Sequence, residues 1–273
     1  MQHLCLEHKL PSPPLGRLVR FFKSALLTVG LLSLTALSQA QISVLTQHND
    51  NARTGANLQE TILNTSNVNS ATFGRLFVRH FKGELYAQPL VVSNVNVAGV
   101  TGKKNLVIVA TMANELIAFD GDDPTASKPY WTQFFGLPIP RAEISCADIT
   151  KQIGITSTPV VDPATNTLYV LSRNISADAN ARYDQWIHAI DITTGKEKPN
   201  SPRRIPRISY DVRAFNFTIQ AQRPALTLSN GVVYVAWASH CDWGGYSGWI
   251  MGFDAKNLLY KTSFATTLSD LNK

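Results

Sequence analysis

An all-β fold, a β-propeller of four-stranded blades, is predicted by three observations. Past residue 80, short runs of β-branched and aromatic residues alternate with clusters of Gly, Pro, Asn and Asp, the pattern of strands and turns. Several runs are apolar at consecutive positions: LVIVA (106–110), LYVL (168–171) and VVYVAW (232–237). Such strands need cover on both faces, and an all-β protein supplies it by stacking sheets face to face. The third observation is a repeat. TPVVDPATNTLYV (158–170) aligns without a gap on RPALTLSNGVVYV (223–235), and QPLVV (88–92) followed by NLVIV (105–109) is the same unit with a longer turn.

Each unit then runs into a strand that ends in aspartate: ELIAFD (115–120), WIHAID (186–191) and WIMGFD (249–254). Pro89, Pro159 and Pro224 are 70 and 65 residues apart, and Asp120, Asp191 and Asp254 are 71 and 63 apart. A multi-strand unit at this period marks propeller blades with loop insertions. The prolines open the first strand of each unit, where no ladder donor is lost. A plain β-sandwich would not repeat one Pro…Tyr-Val…Asp order three times.

Taken in order, residues 1–40 read as an export signal. Lys9, Arg17, Arg20 and Lys23 precede the apolar stretch ALLTVGLLSLTAL (25–37), and Ser38, Gln39 and Ala40 are followed by a cut between Ala40 and Gln41. The 13-residue apolar stretch is short for a bilayer about 30 Å thick, so no transmembrane span is expected. Residues 41–72 form an N-terminal extended segment, and FGRLFVRHF (73–81) is expected to supply an outer strand to another blade. Blades follow at about 84–135, 153–208 and 219–266. Closed propellers have about four to eight blades, and 233 residues hold three to four, so the ring is expected to be incomplete or open. The chain reads as a shortened or truncated member of a longer type. An open arc exposes an apolar blade surface at its C-terminal end and predicts self-association.

Charge excludes one class of partner. The whole chain carries 25 basic and 19 acidic side chains; the first 40 residues hold four and one of these, leaving 21 and 18, a net +3. The basic remainder has no cluster longer than Lys103-Lys104 or Arg203-Arg204, and phosphate tracking needs a stripe of such charges, so nucleic acid is excluded. With Cys5 in the signal, Cys146 and Cys241 remain. An oxidising compartment favours their pairing over two free thiols. A zinc site is the weakest alternative, because neither cysteine has C-x-x-C or H-x-x-x-H spacing around it.

The motif AIDITTGK (189–196) resembles the A-x-D-x-x-T-G-K-x-x-W blade motif of the pyrroloquinoline-quinone-type, or quinoprotein alcohol dehydrogenase-like, β-propellers. Ala118-Phe119-Asp120 and Gly252-Phe253-Asp254 look like degenerate copies. QHNDNARTG (47–55), YAQP (86–89), IGIT (153–156) and AWASH (236–240) are similar to segments of exported bacterial proteins with this propeller. The resemblance covers about residues 43–265. Where the motif has its docking tryptophan, the second unit has Pro199, and Trp131 of the first unit is displaced by an insertion, so imperfect docking between blades is expected.

The resemblance implies a periplasmic, surface or extracellular location and raises a dehydrogenase that uses pyrroloquinoline quinone with calcium on alcohols or sugars. Members of that kind carry an adjacent Cys-Cys pair and a set of calcium-binding and catalytic carboxylates, and this sequence has no such cysteine pair. No catalytic residue is assigned and no metal site is expected. The preferred function is a binding or surface-interaction module for a small molecule, glycan or protein.

Its ligand is expected at the loop end, where Arg173–Asp184 and His240–Ser247 are long. Cys146 and Cys241 fall at that same end. His240 with Asp242 and Asp148 forms an acid/base group or a satisfied loop histidine. Trp243 and Tyr246 offer a stacking surface for a sugar or quinone ring, or pack on a neighbouring blade. Asp120-Gly-Asp-Asp123 reads as a turn rather than a calcium site. Asn64, Asn174 and Asn216 fit a glycosylation pattern that matters only in a eukaryotic secretory pathway.

Overall fold

The computed structural model describes residues 42–266 apart from 145, 150, 179–181, 211–212 and 244–246. The expected signal at 1–40, its cut between Ala40 and Gln41, and Tyr246 lie outside the described residues. No described helix is long and apolar enough to cross a membrane.

Three antiparallel sheets follow one another along the chain as an open part of a β-propeller. The first is β1 (Leu90–Val95), β2 (Lys104–Ala110), β3 (Glu115–Asp120) and β4 (Trp131–Phe134), hydrogen-bonded in sequence order. A small pair, β5 (Ile139–Pro140) and β6 (Gln152–Ile153), makes the connection onward. The second sheet is β7 (Val160–Asp162), β8 (Thr167–Ile175), β9 (Tyr183–Asp191) and β10 (Arg203–Arg204). After the hairpin of β11 (Ser209–Tyr210) and β12 (Arg213–Ala214) comes the third sheet. It comprises β13 (Gln220–Ala221), β14 (Thr227–Ser229), β15 (Val232–Ser239), β16 (Trp249–Asp254) and β17 (Tyr260–Ala265), with β13 and β14 both pairing β15.

Strand alternation sends successive side chains to opposite faces, and the core divides accordingly. Leu106, Ile108, Leu116 and Ala118 of the first sheet pack with Leu168, Val170 and Ile190 of the second. From the other face of the second sheet, Tyr169, Leu171, Ile187 and Ala189 pack with Val233, Val235, Trp237, Trp249, Met251 and Phe253 of the third. The second sheet is therefore covered on both sides, and the first eight residues of β8 are all buried. By contrast, β15 alternates between half-buried and buried along its whole length, so among the described residues one of its faces is covered by a sheet and the other is not.

Two tyings between sheets fix their stacking. The Trp131 indole N–H donates to the Ile192 carbonyl at 2.9 Å, across the turn of the AIDITTGK motif. Gly195 in that turn has φ +73°, and a Cβ there would meet the indole ring at 2.6 Å, so the turn needs glycine for two reasons. The displaced tryptophan thus docks the first sheet on the second after all. Between the second and third sheets the Tyr169 hydroxyl takes that part, donating to the Ala255 carbonyl at 2.7 Å.

The N-terminal segment is largely turns, and it touches the leading strand of every sheet. Val44 bridges Val91, the Leu45 carbonyl accepts from Val161 N–H at 2.8 Å, and Arg53 reaches the Leu226 carbonyl at 3.2 Å and Thr227 Oγ1 at 2.9 Å. The expected outer strand at 73–81 does not form: these residues pair with no ladder. Instead, Phe81 lies on Val109, Ile117 and Phe119, covering the first sheet's outward face. Of the run's apolar residues only Phe81 meets the sheet, on its face rather than its edge, while Phe73, Leu76 and Val78 stay exposed, so apolar content alone misplaced a strand here.

Candidate functional site

The loop end of the sheets collects four of the residues singled out above. Cys146 and Cys241 form a disulfide with their Cα atoms 5.8 Å apart, closing a separation of 95 residues. Asp148 lies two positions after one cysteine and His240 one before the other, so the bridge brings both to one place. His240 Nδ1 and Asp148 Oδ2 are 3.0 Å apart. The Cys241 and Asp242 backbones have φ +47° and +54°, left-handed conformations that turn the chain sharply after His240.

Behind His240 sits a residue that the sequence reading missed. Arg173, fully buried on β8, donates Nη1–H to His240 Nε2 and Nη2–H to the Phe217 and Thr218 carbonyls at 2.9 and 2.8 Å. An arginine has donors only, so His240 Nε2 must accept and Nδ1 carries the proton that goes to Asp148. The imidazole thereby joins a buried cation to a carboxylate at the surface. Burial, and then the adjacent Arg173 charge, hold His240 below its ordinary pKa of 6.5, against the opposing pull of Asp148. Burial likewise lowers Arg173, to about 10.

This group is a satisfied histidine rather than a free acid/base pair, since both ring nitrogens are engaged. Asp242 is exposed and stands apart from it. Trp243 is half-buried and packs against the core between the second and third sheets. The two sulfurs and an Asp148 oxygen lie within 4.8 Å of one another, but paired sulfurs offer no thiolate to a metal.

A cavity of about 470 Å³ opens at the same end, between the exit of the first sheet and a face of the second. Phe135, Leu137, Ile175 and Trp186 give it apolar walls, and Asn174, His188, Asp184 and Arg204 add polar groups. One guanidinium serves two carboxylates: Arg204 Nε donates to Asp184 Oδ1 at 2.6 Å, and its Nη1 lies 3.6 Å from Asp178. The loop expected at Arg173–Asp184 is shorter than its sequence suggests. The β8–β9 ladder runs on through Asn174↔Asp184 and Ile175↔Tyr183, because these polar side chains find partners that let the strands continue.

Behind the wall runs a second network absent from the sequence reading. His188 Nδ1 is 2.6 Å from Glu197 Oε1, and its Nε2 is 2.9 Å from Ser172 Oγ. The order hydroxyl, imidazole, carboxylate is that of an activated nucleophile. Ser172, however, is fully buried and does not line the cavity. The network fixes two wall residues, His188 directly and Asn174 through the Ser172 hydroxyl at 2.7 Å. Asn174 is itself buried with its amide donating to the Phe135 carbonyl, so this glycosylation pattern is closed in the folded chain. Asn64 and Asn216 are exposed.

The residues of Asp120-Gly-Asp-Asp123 are used as a turn. Asp120 Oδ1 accepts from the Asp122 and Asp123 N–H groups at 2.8 and 2.9 Å, and Oδ2 accepts from the Tyr130 hydroxyl. Burial alone would raise Asp120, but these donors and Lys104 outweigh it and hold the carboxyl at about 2. Asp122 accepts from the Asn105 amide and Asp123 from Thr125, so this run does not fit calcium. The disulfide, spanning 95 residues, does not fit the adjacent cysteine pair of a quinone site either.

No family model matches the chain, and no curated protein matches it. Among solved structures it is similar to a quinohemoprotein alcohol dehydrogenase from Pseudomonas putida HK5, at 16% identity and TM-score 0.43, over 71% of this chain and 22% of that one. A quinohemoprotein alcohol dehydrogenase from Comamonas testosteroni aligns at 16% identity and TM-score 0.37, over 63% of this chain and 27% of that one. An endo-1,4-beta-xylanase from Bacteroides thetaiotaomicron VPI-5482 aligns at 11% identity and TM-score 0.34, over 70% and 57%. The chain thus spans about a quarter of the length of the two dehydrogenases. At these values the likenesses assign no activity, and the fold rests on the sheets described above.

Proposed function

We propose that this chain is an exported binding module that takes an uncharged, ring-bearing ligand, a neutral glycan, at the loop end of its sheets. The cavity between the first and second sheets carries this reading. Its size falls within the range of about 300–1,000 Å³ usual for small-molecule sites. The wall is mainly aromatic and aliphatic and its charged side chains engage one another, which favours an uncharged ligand; Trp186 supplies a ring that stacks on a sugar face while the Asp184–Arg204 pair meets hydroxyls. The export signal read at 1–40 supports a place for the module in the periplasm, at the surface or outside the cell. The Arg173–His240–Asp148 group and the disulfide act as its scaffold.

The alternative is a quinone-dependent dehydrogenase, or part of one, with pyrroloquinoline quinone and calcium as cofactors. It rests on the sequence resemblance alone, and no described residue set supports those groups. Two assays separate the readings. A panel of neutral mono- to tetrasaccharides tests binding, and incubation with the quinone and calcium followed by dye-linked oxidation of alcohols and sugars tests turnover. Binding without turnover supports the module; quinone-dependent turnover well above a denatured control supports the alternative.

A further inference from the structure

The third sheet has one face in the core and one that no sheet of the described residues covers. On β15 the uncovered face carries Val232, Tyr234, Ala236 and Ala238, all half-buried, opposite residues 233, 235, 237 and 239, which are buried. Register extends it across the neighbours: Ala236 pairs with Ile250 and Ile250 with Phe264, while Tyr234 pairs with Gly252 and Gly252 with Thr262. Ile250 is 39% exposed and Phe264 58%. The corresponding strand of the second sheet, β8, is buried on both faces because a sheet lies on either side of it. VVYVAW (232–237) has the same continuous apolar character as LYVL (168–171), and that character calls for a second cover.

We propose that this face binds a second copy of the chain, third sheet against third sheet, about a two-fold axis. Two observations select that occupant. The central rows of the face, Tyr234–Gly252–Thr262 and Ala236–Ile250–Phe264, hold no charged side chain, so two copies meet without repulsion. The first sheet's outward face, Val109, Ile117 and Phe119, is already covered by Phe81, which removes the acceptor that a head-to-tail arrangement needs. What remains is an isologous contact, closed at two copies rather than growing into a fibre. Sheets stacked in this way sit about 10 Å apart.

The test is sedimentation of the purified chain across a concentration series, with two variants of the uncovered face. Ile250→Lys and Phe264→Glu each place like charges against each other in a symmetric dimer, and both sites are exposed enough to leave the core intact. The wild type is expected to form a dimer. Each variant alone is expected to dissociate at least about a hundredfold more readily, with unchanged circular dichroism, and a mixture of the two to recover a dimer. A wild type that stays monomeric, a dimer indifferent to both substitutions, or growth without limit would each overturn the proposal. Since the face is remote from the cavity residues in sequence and sheet, loss of dimerisation and loss of glycan binding are separate results.

Discussion

Arg173 Nη1 donates to His240 Nε2, so a fully buried guanidinium is joined to the surface carboxylate of Asp148 through one neutral imidazole. Removing the acceptor of a buried cation leaves a donor unsatisfied, at a cost of about 1–3 kcal/mol. His240→Ala is therefore expected to lower unfolding stability by about that amount in urea titrations. The double variant Arg173→Met/His240→Phe, which removes charge and partner together, should recover a large part of the loss. Equal loss in single and double variants would show that packing, not charge, governs the site.

The same pair sets a pH dependence. Unfolded histidine titrates near 6.5, and folded His240 titrates lower. Above the unfolded value neither state holds this proton and the contribution is complete. As pH falls through about 6.5 the unfolded chain binds the proton first, so stability declines until the folded value is passed. Urea midpoints measured from pH 8 down to 5 should show this decline, and His240→Gln should flatten it. Asp120 acts in a lower window: its contribution is present above the ordinary carboxyl value of 3.8 and is lost as pH falls toward about 2.

Reduction of the Cys146–Cys241 bridge is expected to cost up to about 4.7 kcal/mol on the chain-entropy view of a 95-residue separation. It should also free Asp148 from His240, since the bridge holds their two loops together. A Cys146→Ser/Cys241→Ser variant compared with wild type by thermal unfolding checks the first effect. The His240 ring proton signals, read by NMR at neutral pH, check the second.

Gly195→Ala is expected to destabilise by about 1–3 kcal/mol, because the added Cβ has φ +73° to adopt and the Trp131 ring 2.6 Å away. Tryptophan fluorescence should report the displaced indole. No change in either stability or emission would remove the docking role given to Trp131.

The blade order was legible because prolines and aspartates punctuate it: Pro89 and Pro159 directly precede β1 and β7, and Asp120, Asp191 and Asp254 end β3, β9 and β16. Pro224 stands three residues ahead of β14, so the third mark is looser. The cysteine pairing was legible from topology and compartment. Arg173 was not, since its partners Phe217, Thr218 and His240 lie 44 to 67 residues away and no local pattern joins them. A single arginine within the apolar run LYVLSRNI (168–175) was the available signal. His188 was hidden in the same manner, as one polar residue in WIHAID whose partner Glu197 follows the turn. Residues 73–81 misled because their apolar character is not spent on a ladder: Phe81 alone packs on a sheet face, and Phe73, Leu76 and Val78 stay exposed.

Titrating tryptophan fluorescence with the panel of neutral saccharides, in wild type and Trp186→Ala side by side, tests the binding site itself. Saturable binding by the wild type, weakened at least about tenfold in the variant (about 1.4 kcal/mol), is the expected result. Binding that is equal in both, or absent from both while the wild type remains folded, contradicts a glycan site in this cavity.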